Sequence, residues 1–243
     1  MKHIAKLVGL AGLALHLNAS ALLVDDFSTS QSLLQDLTTG DGGVASQVGS
    51  LGNMSIIGGF RDIYVEKNIL AGDDGNAGVR ASVTSGRFSF SEDAAQAGSA
   101  IIRYDGAQAL NPGALGNIDF SGLGGIDFAS QAVGFEITVL RSDAGFPFRI
   151  EAYDDLGNLS FFNALASEVL PGSPETFFIP FALFSNLGVF DSIGALQAII
   201  NVGGAVEDVD LQISLVQAVP EPTSLALMGL ALLGAASFSR RKI

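Results

Sequence analysis

Between residues 22 and 218 the chain consists of short stretches in which apolar and polar residues alternate, separated by glycine, asparagine and aspartate. Residues 87–91 (RFSFS) are the clearest case, because a period of two places Phe88 and Phe90 on the same side of a strand. Strands that follow one another about every ten residues are typical of antiparallel β-sandwiches. The predicted strands are 22–27, 60–67, 78–84, 87–91, 99–104, 132–140, 148–153, 159–163, 176–180, 193–202 and 209–216.

Two segments depart from this pattern. Residues 181–187 indicate a helical turn, and residues 31–37 fit either a short helix or a strand. Strands spread over roughly 195 residues favour a jelly roll over a seven-stranded sandwich. Because the chain has neither Cys nor Trp, it lacks the core pair of an immunoglobulin domain. The fold prediction is therefore an all-β protein, an antiparallel β-sandwich of jelly-roll type.

The composition limits the chemistry of this body. The chain has no Cys, and its two histidines, His3 and His16, lie near the amino terminus. The body therefore cannot use a Ser-His-Asp or Cys-His mechanism, or bind zinc through imidazole or thiolate, and we predict that it is not an enzyme. Seven basic and 24 acidic residues lie between positions 22 and 219, a formal charge of −17 that disfavours nucleic acid as a partner.

Residues 1–21 have the features of a secretory signal peptide. Lys2 and Lys6 precede an apolar stretch at 7–17, and Ala19 and Ala21 form an A-x-A cleavage site. The apolar stretch is too short to cross a bilayer. We therefore expect export, with a mature chain that begins at residue 22 and a β-sandwich domain at 22–218.

A second apolar segment lies at the carboxyl end. Residues 223–239 contain no charge, and a helix of this length measures roughly 25 Å, slightly short of a ~30 Å hydrocarbon core. Proline residues precede it and basic residues follow it. The basic residues are expected to stay cytoplasmic, which places the body outside the inner membrane.

The order of proline motif, apolar helix and basic cluster in residues 219–243 resembles the PEP-CTERM sorting signal. The matching residues are Pro220, Glu221, Pro222, Arg240, Arg241 and Lys242. The resemblance implies recognition and cleavage by an exosortase, a membrane transpeptidase-like enzyme. It also implies transient anchoring in the inner membrane by the C-terminal transmembrane helix, then release to the cell surface or extracellular space. Bacteria that use this signal also make extracellular polysaccharide.

The body resembles the jelly-roll domains of many exported bacterial proteins and of carbohydrate-binding modules. The similar segments are 24–27 (VDDF), 58–62 (GGFRD) and 178–181 (FIPF), the last followed by a closing acidic strand. The resemblance implies a fold and leaves the ligand open.

Four aspartates form a candidate calcium site. Asp25 and Asp26 lie on the first predicted strand of the mature chain, and Asp208 and Asp210 on the last. Terminal strands are often neighbours in a jelly roll, and calcium binds six to eight oxygen ligands. The alternative is that these carboxylates are solvated charges which protect a sheet edge from aggregation.

Three functions remain open. The first is a non-enzymatic exported protein of the cell surface or extracellular matrix, associated with exopolysaccharide in a biofilm. The second is a carbohydrate-binding module, for which the calcium site would be stabilising. An exposed pair of Tyr64 and Tyr104 would favour this function, whereas burial of all three tyrosines would favour the first. The third is a glycoside hydrolase, for which Glu136 and Glu151 are candidate carboxylates.

Overall fold

The computed structural model describes residues 21–68, 76–108 and 115–220, which form thirteen β-strands and four short 3-10 turns. Most of the predicted signal peptide and sorting tail therefore lie outside the described residues. The strands are β1 (Leu22–Asp25), β2 (Gln31–Asp36), β3 (Val44–Gly49), β4 (Phe60–Asn68), β5 (Val79–Thr84), β6 (Arg87–Glu92), β7 (Ala97–Tyr104), β8 (Gly134–Ser142), β9 (Pro147–Asp154), β10 (Leu159–Leu165), β11 (Glu175–Pro180), β12 (Ile193–Ile200) and β13 (Asp210–Val219).

The strands form two antiparallel sheets that face each other. The seven-stranded sheet has the order β11-β8-β13-β6-β5-β2, with β1 also paired to β13. The six-stranded sheet has the order β10-β9-β12-β7-β4-β3. Strands adjacent in space are often distant in the chain, such as β13 between β8 and β6, as in a jelly roll. The predicted all-β sandwich is confirmed.

The core lies between the sheets and is rich in phenylalanine. Phe88 and Phe90 are fully buried, as their period of two predicts. Near the start of β8 the rings of Phe135, Phe181 and Phe190 form a cluster, in which Phe181 and Phe190 stack with centroids 4.0 Å apart. Offset or edge contacts of this kind stabilise a core beyond the area that they bury.

The structure refines several predicted elements. Strand β3 was not predicted, because its residues are all half-buried or exposed and the apolar period is weak. The sequence of residues 31–37 fits either a short helix or a strand, and the structure forms strand β2 there. The predicted helical turn at 181–187 contains the 3-10 turn Phe181–Leu183, and a second turn covers Leu187–Asp191.

One buried polar cluster joins the two sheets. Arg61 of β4 points inward, where its Nη1 donates to Asp25 Oδ2 of β1 at 2.8 Å and its Nε donates to Gln31 Oε1 at 2.9 Å. The Tyr104 hydroxyl donates to the same Asp25 oxygen at 3.0 Å, and the Phe27 amide donates to the other at 2.7 Å. Burial raises the pKa of the Asp25 carboxyl, whereas Arg61 and these hydrogen bonds favour its charged form.

Among the described residues there is no helix of sufficient length and apolar character to cross a membrane. The predicted membrane helix at 223–239 lies outside them.

Candidate functional site

Five polar side chains form a row across the outer face of the six-stranded sheet. Strand register places Gln47 of β3 opposite Asp62 of β4, Asp62 opposite Arg103 of β7, and Arg103 opposite Gln197 of β12. Gln197 in turn lies opposite Glu151 of β9. We call these five residues the polar row. Because side chains alternate along a strand, the apolar neighbours of each member point into the core.

The polar row is connected by hydrogen bonds between neighbouring strands. Gln47 Nε2 donates to Asp62 Oδ1 at 2.7 Å, and Arg103 Nε donates to Gln197 Oε1 at 3.0 Å. Gln197 Nε2 then donates to Glu151 Oε2. These hydrogen bonds fix the rotamers of the side chains that make them and give the face a rigid polar floor.

Aromatic side chains frame one end of the polar row. The Tyr153 hydroxyl donates to Glu151 Oε2 at 2.6 Å, and its ring contacts that of Phe120 with centroids 5.3 Å apart. On the other side of Glu151, Arg149 forms an ion pair with it at 2.6 Å and lies 4.3 Å over the Phe161 ring. Phe120 is 37% exposed, and the other three side chains are half-buried. We call Arg149, Tyr153, Phe161 and Phe120 the aromatic frame.

A pair of buried carboxyl groups lies at the opposite end of the row. Asp62 and Asp105 are each 1% exposed, and Asp62 Oδ2 and Asp105 Oδ1 have no hydrogen-bond donor among the described residues. The two carboxyl groups lie close together, and the negative charge of Asp105 favours the protonated form of Asp62. Burial raises the pKa of Asp62 to about 7 and also raises that of Asp105, while Arg103 favours both charged forms.

The connection between β7 and β8 covers this end of the row. Its Gly106 carbonyl accepts from Gln47 Nε2 at 3.2 Å, and its Gly116 carbonyl accepts from Arg103 Nη1 at 3.2 Å. The Asp119 amide donates to Asp105 Oδ2 at 3.0 Å. The polar row therefore holds the connection in place, and four of its members, Asp62, Arg103, Glu151 and Gln197, are themselves buried.

Two glycines allow the connection to approach the sheet closely. A Cβ at Gly194 of β12 would lie 1.6 Å from the Phe120 carbonyl oxygen, and a Cβ at Gly122 would lie 1.7 Å from that of Asp105. Any larger residue at either position would displace the backbone. Gly122 and Gly194 thus allow the close packing that places Phe120 beside Tyr153.

This arrangement suits the binding of a neutral polar ligand better than catalysis. The half-buried Arg149 guanidinium and the partly exposed rings, held by the buried polar row, can bind hydroxyl groups and apolar ring faces together. Glycoside hydrolysis needs two carboxyl groups on either side of a bound substrate. Asp62 and Asp105 instead contact each other, and Glu151 is engaged by Arg149, Tyr153 and Gln197.

Comparison with solved structures finds an agarase and carbohydrate-binding modules. An agarase matches at 12% identity with a TM-score of 0.41 over 82% of this chain, which spans 25% of that protein. The family 11 carbohydrate-binding module CtCBM11 matches at 11% identity with a TM-score of 0.40, over 85% of this chain and 99% of the module. The family 11 module of the cellulosomal cellulase Lic26A-Cel5E of Clostridium thermocellum matches at 11% identity with a TM-score of 0.35. The match covers 84% of this chain and 97% of the module. At these values the likeness concerns the fold and carries no argument about ligands.

Comparison with protein families gives a match at the carboxyl end. No curated protein matches the chain. The model of the PEP-CTERM protein-sorting motif matches residues 218–242. The chain carries a PEP-CTERM sorting motif. The motif marks an exported protein with a C-terminal sorting tail, and the resemblance seen in the sequence is confirmed. The matched motif covers about a tenth of the chain.

The individual residues of the tail and the signal peptide stay predictions. Of the PEP-CTERM motif, the structure describes only the end of β13 and Pro220. The roles of the remaining motif residues, and cleavage after Ala21, rest on the sequence.

The structure does not bring the four candidate calcium ligands together. Strands β1 and β13 are neighbours, as predicted, but Asp25 lies opposite Val216, six residues or about 20 Å along β13 from Asp210. Asp25 is engaged by Arg61, and Asp210 forms an ion pair with Arg141.

The other two aspartates lie just outside the strands. Asp26 accepts a hydrogen bond from the Ser28 amide, and Asp208 accepts one from the Ala95 amide. In the described part of the chain, no group of three or more His, Cys, Asp or Glu residues is arranged to hold a metal ion. Calcium binding stays a prediction for which the geometry supplies no shared ligand set.

The predicted aromatic and carboxylate pairs are also separated. Tyr104 is buried in the core, whereas Tyr64 lies on the outer face of the six-stranded sheet, so they do not form a stacking pair. Tyr64 and Tyr153 are both half-exposed, so not all three tyrosines are buried. Glu136 lies on β8 of the other sheet from Glu151, and these two carboxylates cannot face one substrate.

Sequence reasoning missed the polar row. Its members come from five strands that are distant in the chain, and only strand register aligns them. The available signal was a charged or amide residue at the outward position of several apolar strands, such as Arg103 in SAIIRY and Glu151 in FRIEAY.

Proposed function

We propose that the chain is a non-catalytic protein of the cell surface or extracellular matrix whose β-sandwich binds polysaccharide through the outer face of the six-stranded sheet. The observation that carries the proposal is the aromatic frame, a set of half-buried and exposed side chains that the buried polar row fixes on this face. A binding role without catalysis agrees with a body that has no His or Cys. The export that the PEP-CTERM motif indicates supports association with the producer's own exopolysaccharide.

The aromatic frame supplies the first test. We expect the Arg149→Ala and Phe120→Ala substitutions each to weaken binding to the host's exopolysaccharide roughly tenfold, the size of effect typical of a side chain at the centre of a binding surface. Affinity electrophoresis of the protein purified from its host, in gels that contain the polysaccharide, measures this loss. The matched control is Thr138→Ala on the outer face of the seven-stranded sheet, which should migrate as the wild type does. Equal retardation of all four proteins would contradict the proposal.

The tail is proposed to act as an exosortase substrate. The order of Pro-Glu-Pro, apolar helix and basic cluster supports transient anchoring in the inner membrane, followed by cleavage and transfer to the surface. Intact-mass measurement of the protein from its host should show a chain that begins at Leu22 and lacks residues 223–243. Arg240→Ala/Arg241→Ala/Lys242→Ala should leave uncleaved protein in the membrane fraction. A full-length carboxyl terminus in wild-type surface protein would contradict this part of the proposal.

A further inference from the structure

The interior of the sandwich is incompletely filled where the edge strands β10 and β11 face each other. A cavity of about 280 Å³ lies there between the sheets, with walls that include Phe146, Phe148 and Phe162. Ala164 of β10 and Ala198 of β12 also line it. Alanine at these inward positions leaves space that a larger side chain would occupy, and an unfilled core volume of this size is costly in stability.

The walls of the cavity are almost entirely hydrocarbon. Its polar lining consists of Ser142 and Ser167, and no charged side chain of the described residues lines it. An apolar cavity of 150 Å³ stays dry and binds a six-carbon ring. A cavity nearly twice that size therefore matches an apolar group of about ten to twelve carbon atoms.

The cavity reaches solvent along the edge between β10 and β11. Leu165 at the end of β10 is 68% exposed and Phe178 of β11 is 46% exposed, and both line the cavity. At its inner end the lining residues Ile200 and Leu211 are buried. The space is thus a slot, deep and apolar within, that opens at one side of the sandwich.

The charges near the mouth select the head group of a ligand. Glu168 follows Ser167 at the mouth, and Glu175 begins β11; both are exposed. The formal charge of the body as a whole is −17. An anionic head would therefore be repelled, whereas a neutral hydroxyl could bond with Ser167.

We propose that this slot binds the linear alkyl chain of an uncharged amphiphile, about ten to twelve carbon atoms long, with its head at the mouth beside Ser167. The slot lies between the sheets and the polar row lies on an outer face, so the two sites are separate. A surface protein with both sites would bind a polysaccharide and an apolar chain at the same time.

Calorimetric titration with a series of linear primary alcohols from six to sixteen carbons tests the proposal. In the protein purified from its host, affinity should rise about fourfold per added methylene up to ten to twelve carbons and then level off. Decanoate should bind at least tenfold more weakly than 1-decanol. Absence of saturable binding, or an affinity that keeps rising with length as in surface adsorption, would overturn the proposal.

Two substitutions that fill the slot give independent checks. Ala198→Leu in its floor and Ala164→Phe near its mouth should each reduce 1-decanol binding at least tenfold, without lowering the melting temperature by more than a few degrees. Phe120→Ala on the outer face is the matched control and should bind 1-decanol as the wild type does. Polysaccharide binding should survive both filling substitutions, so failure of one site is distinguishable from failure of the other. Wild-type decanol binding by a folded Ala198→Leu protein would overturn the assignment.

Discussion

We expect the Arg61→Met substitution to lower the free energy of unfolding by about 3–5 kcal/mol, because removal of one partner of a buried ion pair leaves the other charge without compensation. Asp25 and Arg61 are both fully buried, and their contact is 2.8 Å. The guanidinium also donates to Gln31 and to the Thr29 carbonyl, and lies over the Phe27 ring. Loss of this one side chain therefore disconnects β1 and β2 from β4.

Urea unfolding of the wild type and variant measures the change, with a fall in melting temperature of roughly 10 °C as the parallel result. Arg87→Met is the matched control, since Arg87 is exposed on β6, and it should change stability by less than about 0.5 kcal/mol. The double variant Asp25→Asn/Arg61→Met should lose less than the sum of the two single variants, because neither charge is then left alone. A loss under 1 kcal/mol for Arg61→Met would show that the pair does not join the sheets.

The second large effect concerns pH. Burial and the neighbouring Asp105 raise the pKa of Asp62 to about 7, well above the value of 3.8 for an unperturbed aspartate. Between these values the folded state holds a proton that the unfolded state has lost. The contribution of Asp62 to stability is therefore largest below about pH 4 and falls as pH rises towards 7, at up to 1.4 kcal/mol per pH unit.

The Asp62→Asn substitution should remove most of this pH dependence. Asparagine is neutral at every pH, and its amide can donate to Asp105 as the protonated acid does. We expect the variant to match the wild type near pH 4 and to exceed it by about 2–4 kcal/mol at pH 8. Unfolding by urea across this range measures the difference.

The pH experiment must account for a second titrating group and needs a control variant. Burial also raises the pKa of Glu92 to about 7, so the variant should keep some pH dependence of its own. Asp191→Asn, at an exposed position outside the row, should leave the wild-type dependence unchanged. A variant that is less stable than the wild type at pH 8 would contradict a proton held between Asp62 and Asp105.

The fold could be predicted because apolar and polar residues alternate along many of its strands. Residues 87–91 and 148–153 alternate clearly, and both are strands with the predicted side in the core. Strand β3 could not be predicted, since an edge strand buries little and its sequence shows a weak period. Arg61 and Lys67 of β4 point inward with Ile63, because Asp25 and the Leu37 carbonyl supply acceptors for their charged groups within the sandwich.

The site could not be predicted for a related reason. Sequence places Asp62, Arg103 and Glu151 on strands, but only the order of those strands in the sheet brings them into one row. The calcium prediction rested on the expectation that neighbouring terminal strands bring their carboxylates together. The register that sets Asp25 opposite Val216 leaves Asp210 at a distance.

The sorting motif and the sandwich together define the biological setting of the site. The PEP-CTERM motif marks an exported protein, and the outer face of the six-stranded sheet carries the aromatic frame over a buried polar row. The buried pair of Asp62 and Asp105 holds the β7–β8 connection over one end of that face. Loosening of this connection at high pH would therefore alter the binding face as well as the stability.

Hydrogen exchange of the protein with and without the host's exopolysaccharide tests the central claim most directly, because it shows where the ligand binds. Saturating polysaccharide should slow exchange in β9 and β12 and in the connection around Phe120, and should leave β2 and β5 of the seven-stranded sheet unchanged. Protection confined to the seven-stranded sheet, or no protection at any concentration, would contradict the assignment of the outer face of the six-stranded sheet as the binding face.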